Sequence, residues 1–166
     1  MSFNEFTAPL TPGEIEWKIQ GYTKDKSKTT IVPYIDARAC FTRLDQCFGP
    51  QGWYAKYEPL HTGKEDGFLC TLGIYTETHG FVDKQDGSGC TDIEPVKGGI
   101  SGAFKRACHA WGLGRELYSY PKIFIVGEQK HLHWKLLKRL DSLVDAFNAG
   151  KIDRNLYTLN PDGTNA

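Results

Sequence analysis

The stretch GGISGAFKRACHAWGLGRELY, residues 98–118, holds the side chains best suited to binding phosphate, the adjacent Lys105 and Arg106. At about 100° per residue, a helix places both opposite its apolar stripe, which consists of Phe104, Ala107 and Trp111. His109 lies four residues after Lys105 and three after Arg106, so the three side chains share one surface. The spacing therefore predicts a solvent-facing site for anions.

The charge distribution around this pair is uneven. Nine Lys or Arg residues lie between Lys97 and Arg139 against two acids, although the whole chain has a formal net charge of +0. This asymmetry predicts one positive side that can hold a polyanion. A Lys-Arg pair is more often only the solvated face of a helix. The absence of any acid between positions 94 and 116, and the flanking Gly99 and Gly102, favour a binding role because glycine lets a backbone approach closely.

The composition indicates a folded chain. Its 166 residues are 40% hydrophobic and 24% charged, which is typical of one globular domain. No apolar run approaches the ~20 residues that a membrane helix needs, and the N-terminus has no signal-peptide pattern, so we expect a cytoplasmic protein without a membrane partner. The five cysteines contain no C-x-x-C pair, which favours reduced thiols.

The apolar periodicity predicts an α+β fold. Alternation over residues 15–20 and the later KTTIV predict an N-terminal β-hairpin. From Pro33 the apolar spacing changes to three and four, which predicts a helix that ends at Gly49-Pro50. Residues 53–60, 68–78 and 80–85 then predict an antiparallel three-stranded meander. Its apolar face packs on helices and consists of Phe68, Cys70, Leu72 and Ile74.

Two further helices complete the predicted fold. Lys105 and Arg106 lie on a long helix over residues 93–111, for which Gly112 is the left-handed cap. Because Gly98 and Gly99 each cost about 1 kcal/mol relative to alanine inside a helix, we expect a regular helix only from Ile100 onward. A C-terminal helix follows within residues 130–150, with a basic start, one buried apolar face and Gly150 as its stop.

Two groups of short motifs carry a family resemblance. The first is Tyr34-Ile35-Asp36, followed by Phe48-Gly49 and Gly52-Trp53; the second, after the predicted meander, is Lys105-Arg106-Ala107, followed by Trp111-Gly112. In order and spacing these segments resemble the annealing domain of the Rad52/22 family of single-strand annealing proteins, including its bacterial DdrA and phage Sak-type branches. The resemblance covers roughly residues 14–125.

The resemblance implies a β-β-β-α core that assembles into a homo-oligomeric ring. The length and the polar C-terminal sequence predict one DNA-binding domain over residues 1–150 and a polar tail over 151–166. A positively charged groove would hold single-stranded DNA by its backbone, with Lys105 and Arg106 on the phosphates, during recombination and double-strand break repair. Animal and fungal members carry a third basic residue where this chain has His109. Because an unperturbed histidine is mostly neutral at pH 7, we expect His109 to donate a hydrogen bond to a phosphate without a full charge. Lys97, Arg115 and Lys64 are further candidates, chosen for position and local charge.

This interpretation requires no catalysis. A protein that pairs strands of any sequence contacts phosphates and does not read base edges. The chain has no G-x-x-x-x-G-K-[ST] loop, so we expect no nucleotide, no other cofactor and no metal.

Two other functions stay open from the sequence. A metal-dependent nuclease or hydrolase would use His131 and His133, Cys108 with His109, or the acids Asp83, Asp86 and Asp92. We expect no metal site at the two histidines, because residues two apart on a helix point in different directions. A double-stranded RNA-binding module also has a helix, three strands and a helix with basic residues, although it needs less than half of this chain.

Overall fold

The computed structural model describes residues 2–152 and 154–166. The described residues form four α-helices and seven β-strands. In chain order the helices are α1 (Phe3–Phe6), α2 (Ala37–Phe48), α3 (Pro95–Trp111) and α4 (Trp134–Asn148). The strands are β1 (Ile15–Tyr22), β2 (Lys28–Ile35), β3 (Trp53–His61), β4 (Asp66–Thr76), β5 (Gly80–Gly89), β6 (Lys122–Val126) and β7 (Leu156–Leu159). The predicted α+β class is confirmed. No helix among these residues is long and apolar enough to span a bilayer.

The chain divides into two compact units. The first contains Met1–Ala8 and Ile35–Arg115, and the second contains Pro9–Tyr34 and Glu116–Ala166.

The first unit is built on the antiparallel sheet β3-β4-β5, which confirms the predicted meander. Cys70, Leu72 and Ile74 of β4 are fully buried on the face that α3 covers, and α3 packs along both β4 and β5. Helix α2 contacts α3 through stacked rings of Phe41 and Phe104, whose centroids are 4.4 Å apart. The apolar face of the meander is therefore the core of this unit.

Helix α2 ends where the sequence predicted, but it begins at Ala37 and not at Pro33, because Pro33 and Tyr34 still belong to β2. The Asp36 carboxylate accepts a 2.7 Å hydrogen bond from the Ala39 N–H and caps the first turn. At the other end Gly49 has a φ of 72°, in the left-handed region that glycine adopts without strain. Between these caps the helix buries Cys40, Leu44, Cys47 and Phe48.

The prediction of an irregular first half for α3 is wrong, because the helix runs without a break from Pro95. Its glycines lie where the helix touches the sheet. A Cβ at Gly98 would stand 2.0 Å from Thr91 Oγ1, and one at Gly99 would stand 2.8 Å from the Phe68 ring. Close packing therefore offsets the poor helix propensity of these residues. Gly112, with a φ of 114°, caps the helix as predicted.

The second unit holds a mixed sheet in the order β1-β2-β6-β7, in which β2 and β6 are antiparallel and β6 and β7 are parallel. Strands β1 and β2 are the predicted hairpin. Helix α4 covers the sheet, and their shared core consists of Ile31, Ile123, Ile125, Leu136, Leu140, Leu143, Tyr157 and Leu159. We did not predict β6 or β7, because strands of five and four residues give too short an alternation to recognise.

Candidate nucleic-acid interface

Helix α3 crosses β5 through residues spaced four apart. Gly98 lies against Thr91, which follows the strand, and a Cβ at Gly102 would stand 2.4 Å from Ser88 Oγ. One and two turns later, Arg106 contacts Asp86 and the Ala110 carbonyl accepts a 3.0 Å hydrogen bond from Lys84 Nζ. Because alternate strand residues share a face, Lys84, Asp86 and Ser88 all meet the helix. This crossing fixes where the basic side chains of α3 lie.

Arg106 is the most clearly placed of the predicted site residues. Its Nε donates to Asp86 Oδ1 at 3.0 Å, and the arginine side chain is 52% exposed. Asp86 Oδ1 also accepts a 2.8 Å hydrogen bond from the Gly87 N–H, which orients the carboxylate. Among the residues that the structure describes, the two terminal NH2 groups of Arg106 have no other protein partner. A guanidinium anchored at Nε still offers two donors to a phosphate oxygen pair.

The sequence argument that no acid neutralises this face is wrong in one respect. It considered only neighbours along the chain, whereas Asp86 comes from β5. The predicted orientation is right, because Phe104, Ala107 and Cys108 are buried while Arg106 is exposed. Lys105 is half-buried on the adjoining side of α3.

His109 and Arg115 meet at the C-terminal end of α3. Arg115 donates to the His109 carbonyl at 2.7 Å and to the Ala110 carbonyl at 2.6 Å. The His109 ring contacts the Leu113 carbonyl through Nδ1, so a proton on that nitrogen is the donor. The charge of Arg115 complements the helix dipole and its two bonds satisfy carbonyls of the last turn, whereas the His109 ring holds the chain just beyond the helix. Both side chains therefore contribute to ending the helix, and phosphate binding would have to use their remaining nitrogen atoms.

Lys97 and Lys64 lie apart from Arg106. Lys97 forms an exposed 3.0 Å ion pair with Glu94 in the first turn of α3, about 13 Å along the axis from Arg106 at 1.5 Å per residue. Lys64 is exposed in the turn between β3 and β4. Asp86, the partner of Arg106, lies opposite Cys70 in the sheet. The turn that holds Lys64 begins at least four residues further along β4, so it lies at least about 13 Å from Asp86. Lys97 and Lys64 are therefore too far from Arg106 to share one phosphate with it.

The residues considered for a metal site are not brought together. Asp83 and Asp86 lie on opposite faces of β5, since Asp83 accepts a 2.6 Å hydrogen bond from the Tyr54 hydroxyl and Asp86 holds Arg106. The bond to Asp83 raises the pKa of Tyr54. His131 and His133 precede α4, contrary to our placing them on the helix, and His133 caps its first turn. No group of three or more potential ligands is found within the described residues.

Sequence reasoning missed Lys84, and it considered Asp86 only as a possible nuclease acid and not as the partner of Arg106. Lys84 Nζ also lies 4.6 Å from the centroid of the Trp111 ring, and the Trp111 indole N–H donates to the Leu72 carbonyl at 2.9 Å. The sequence does contain a signal for their position, namely the tight turn between β4 and β5, which fixes the pairing of the two strands. Pairing of Thr76 with Gly80 fixes the register, which places Lys84 opposite Leu72 and Asp86 opposite Cys70 on the apolar face.

Comparison with known proteins identifies relatives of this chain. The family described as Rad52/22 family double-strand break repair protein matches residues 3–133. A protein of Deinococcus deserti named single-stranded DNA-binding protein DdrA is 33% identical over 123 residues, covering 71% of this chain and 57% of the relative. The protein of the same name from Deinococcus radiodurans is 30% identical over 119 residues, covering 69% and 53%. The chain therefore spans somewhat more than half the length of these relatives.

Proposed function

Because the chain belongs to the Rad52/22 family of double-strand break repair proteins, we propose that it binds single-stranded DNA and anneals complementary strands in recombination and double-strand break repair. Two relatives named as single-stranded DNA-binding proteins support this proposal. These relatives are longer than this chain, so their activity need not reside in the part that it shares with them. The proposal therefore also rests on the residues of this chain.

The observation that carries the proposal is the anchored guanidinium of Arg106 on the exposed side of α3, next to the half-buried Lys105. Asp86 holds Arg106 at Nε, and its terminal NH2 groups match the paired oxygens of a phosphate. Phosphate contacts fix a strand without reading its sequence, as annealing of arbitrary sequences requires. Arg106 and Lys105 are therefore the principal contacts, and Lys97, His109, Arg115 and Lys64 are secondary ones.

The proposal includes an assembly. One anchored arginine and one lysine per subunit bind a strand weakly, so we expect several subunits to line one groove in a homo-oligomeric ring. We propose residues 1–150 as the DNA-binding domain, to which residues 151–166 add β7, a strand of the same sheet as β6. No bond is made or broken in the DNA. We place the protein in the cytoplasm, which is supported by the lack of any disulfide among the five cysteines that the structure describes.

Substitution of the two principal contacts tests this function. We expect Lys105→Ala and Arg106→Ala each to weaken binding of a fluorescent single-stranded oligonucleotide, measured by anisotropy at several salt concentrations. Each variant should flatten the slope of log K against log salt by roughly 0.7, because one phosphate contact is lost for every sequence. The matched control is Lys24→Ala, which removes an exposed lysine from the turn between β1 and β2.

Annealing is measured with two complementary labelled oligonucleotides whose pairing brings a donor and an acceptor fluorophore together. The wild-type protein should accelerate pairing, Arg106→Ala should reduce that rate, and strand lengths should be unchanged with or without Mg²⁺. Unchanged salt slopes in both alanine variants, with the fold intact, would show that the pair is only a solvated face. A preference for duplex RNA over single-stranded DNA of equal length would also contradict the proposal.

A further inference from the structure

A second group of side chains suited to binding lies in the second unit, at the start of α4. A cleft of about 550 Å³ opens there, and its lining includes His131, His133, Trp134, Lys135, Pro161 and Asp162. We call it the α4 cleft. Trp134, Lys135 and Lys138 follow the last residue that the family comparison matches, so the cleft lies at the border of the family segment.

Trp134 is the unusual residue of this cleft. It is the first residue of α4 and is 57% exposed, whereas tryptophan is highly buried on average. The core of the unit does not require it, because α4 contacts the sheet through Leu136, Leu140 and Leu143. A large exposed indole that contributes nothing to the core is the kind of side chain that forms binding contacts.

Cations surround the indole. Lys135 Nζ lies 5.8 Å and Lys138 Nζ 5.2 Å from the centroid of the Trp134 ring. The imidazole of His133 lies 5.7 Å from the same centroid. No acid occurs between positions 129 and 140, which hold four Lys or Arg residues. An aromatic platform within a basic segment is the arrangement that single-stranded nucleic acids favour.

The one acid of the cleft lies on its far side. The Asp162 carboxylate accepts hydrogen bonds from the backbone and the hydroxyl of Thr164, and these, with the nearby charge of Lys135, lower the pKa of Asp162. A permanent negative charge there balances part of the charge of Lys135. Among the described residues, Lys138 has no acidic partner, which makes it the stronger phosphate ligand.

We propose that the α4 cleft is a second contact for single-stranded DNA, in which an unpaired base stacks on Trp134 and a neighbouring phosphate contacts Lys138. A nucleotide presents a planar base beside an anionic group. The cleft presents a planar indole with Lys135 in its lining, and Lys138 lies one turn further along α4, 5.2 Å from the same ring. An acidic peptide would engage the lysines and leave the indole without a planar partner. This inference rests on the proposed function but on a different unit and on different residues.

Binding to two kinds of oligonucleotide tests the inference. Trp134→Ala should weaken binding of ordinary single-stranded DNA roughly fivefold or more, the effect expected for one lost stacking contact. Trp134→Phe should retain part of the affinity. On an abasic oligonucleotide of equal length, which has phosphates and no bases, Trp134→Ala should bind like the wild type and Lys138→Ala should still bind more weakly. Tyr118→Ala is the control, because Tyr118 is a more exposed aromatic residue of the same unit.

The outcomes separate this inference from the proposed function. If the wild-type protein binds no single-stranded DNA, the proposed function fails. If Arg106→Ala weakens binding while Trp134→Ala and Trp134→Phe do not, only the α4 contact fails. Quenching of tryptophan fluorescence by poly-glutamate and not by oligonucleotide, in the wild type and not in Trp134→Phe, would also overturn the inference in favour of an acidic protein partner. Thermal unfolding of each variant shows whether a loss of binding reflects a loss of fold.

Discussion

At the residue scale, Asp86 has two opposing effects on the proposed site. It orients the guanidinium of Arg106 through a 3.0 Å contact, and it places a negative charge where a phosphate would bind. Partly exposed ion pairs are worth only about 0.2–1 kcal/mol, so a phosphate can compete with the carboxylate for this arginine. The pair therefore holds Arg106 in place without making it unavailable.

This balance predicts the effect of Asp86→Asn. Asparagine retains an oxygen that accepts from Arg106 Nε and removes the negative charge. We expect affinity for single-stranded DNA to rise roughly two- to fivefold at low salt, and the gain to shrink as salt screens the charges. Asp83→Asn is the control, because Asp83 carries the same charge on the opposite face of β5. Weaker binding by Asp86→Asn would mean that the full ion pair is needed to position Arg106.

At the element scale, the position of α3 depends on its glycines. Gly102 lies one turn before Arg106 and contacts Ser88 of β5, so any shift of the helix there also moves the basic residues. Alanine has the better helix propensity, by about 1 kcal/mol. A Cβ at this position would nevertheless stand 2.4 Å from Ser88 Oγ and 2.9 Å from Ser88 Cβ, closer than packed atoms allow.

We therefore expect Gly102→Ala to lower the free energy of unfolding by roughly 1–3 kcal/mol, the usual range for overpacking. Urea denaturation of the single variants and of Gly102→Ala with Ser88→Gly measures their coupling. Removal of the Ser88 side chain should recover most of the loss. If Gly102→Ala stabilised the protein, helix propensity would outweigh the contact and α3 would not be held at this point.

The elements also show what the sequence could and could not predict. The meander, the body and C-terminal end of α2, and α4 were predicted because each has several periods of apolar spacing, whereas the start of α2 was placed at Pro33, inside β2. The continuity of α3 was not, because helix propensity counts Gly98 and Gly99 as costs and does not reveal the sheet contacts that require them. At the site, periodicity gave the face of Lys105 and Arg106, while the partner of Arg106 depended on a strand register that we did not work out.

At the scale of the whole molecule, the cysteines report on folding. Cys40, Cys47, Cys70 and Cys108 are buried and Cys90 is exposed. Burial raises the pKa of the Cys70 thiol to about 11, although a hydrogen bond with Tyr57 acts in the opposite direction. A hydrogen bond with Cys40, together with burial, raises the pKa of Cys108 well above its ordinary value. The fold thus keeps the thiols of Cys70 and Cys108 protonated, and cysteine reacts as the thiolate.

Two measurements follow from this difference. At pH 8 a thiol reagent should label Cys90 rapidly and the four buried cysteines only at the rate of unfolding, so that Cys90→Ser removes the fast phase. Rapid labelling of several cysteines in the folded protein would show that the core of the first unit opens more readily than its packing indicates.

The stability of the protein should also depend on pH. The thiols of the unfolded chain ionise near pH 9, while that of folded Cys70 stays protonated to about pH 11. Stability is therefore retained below pH 9 and lost as the pH rises through this window. We expect the free energy of unfolding to fall by roughly 1–3 kcal/mol between pH 9 and 11.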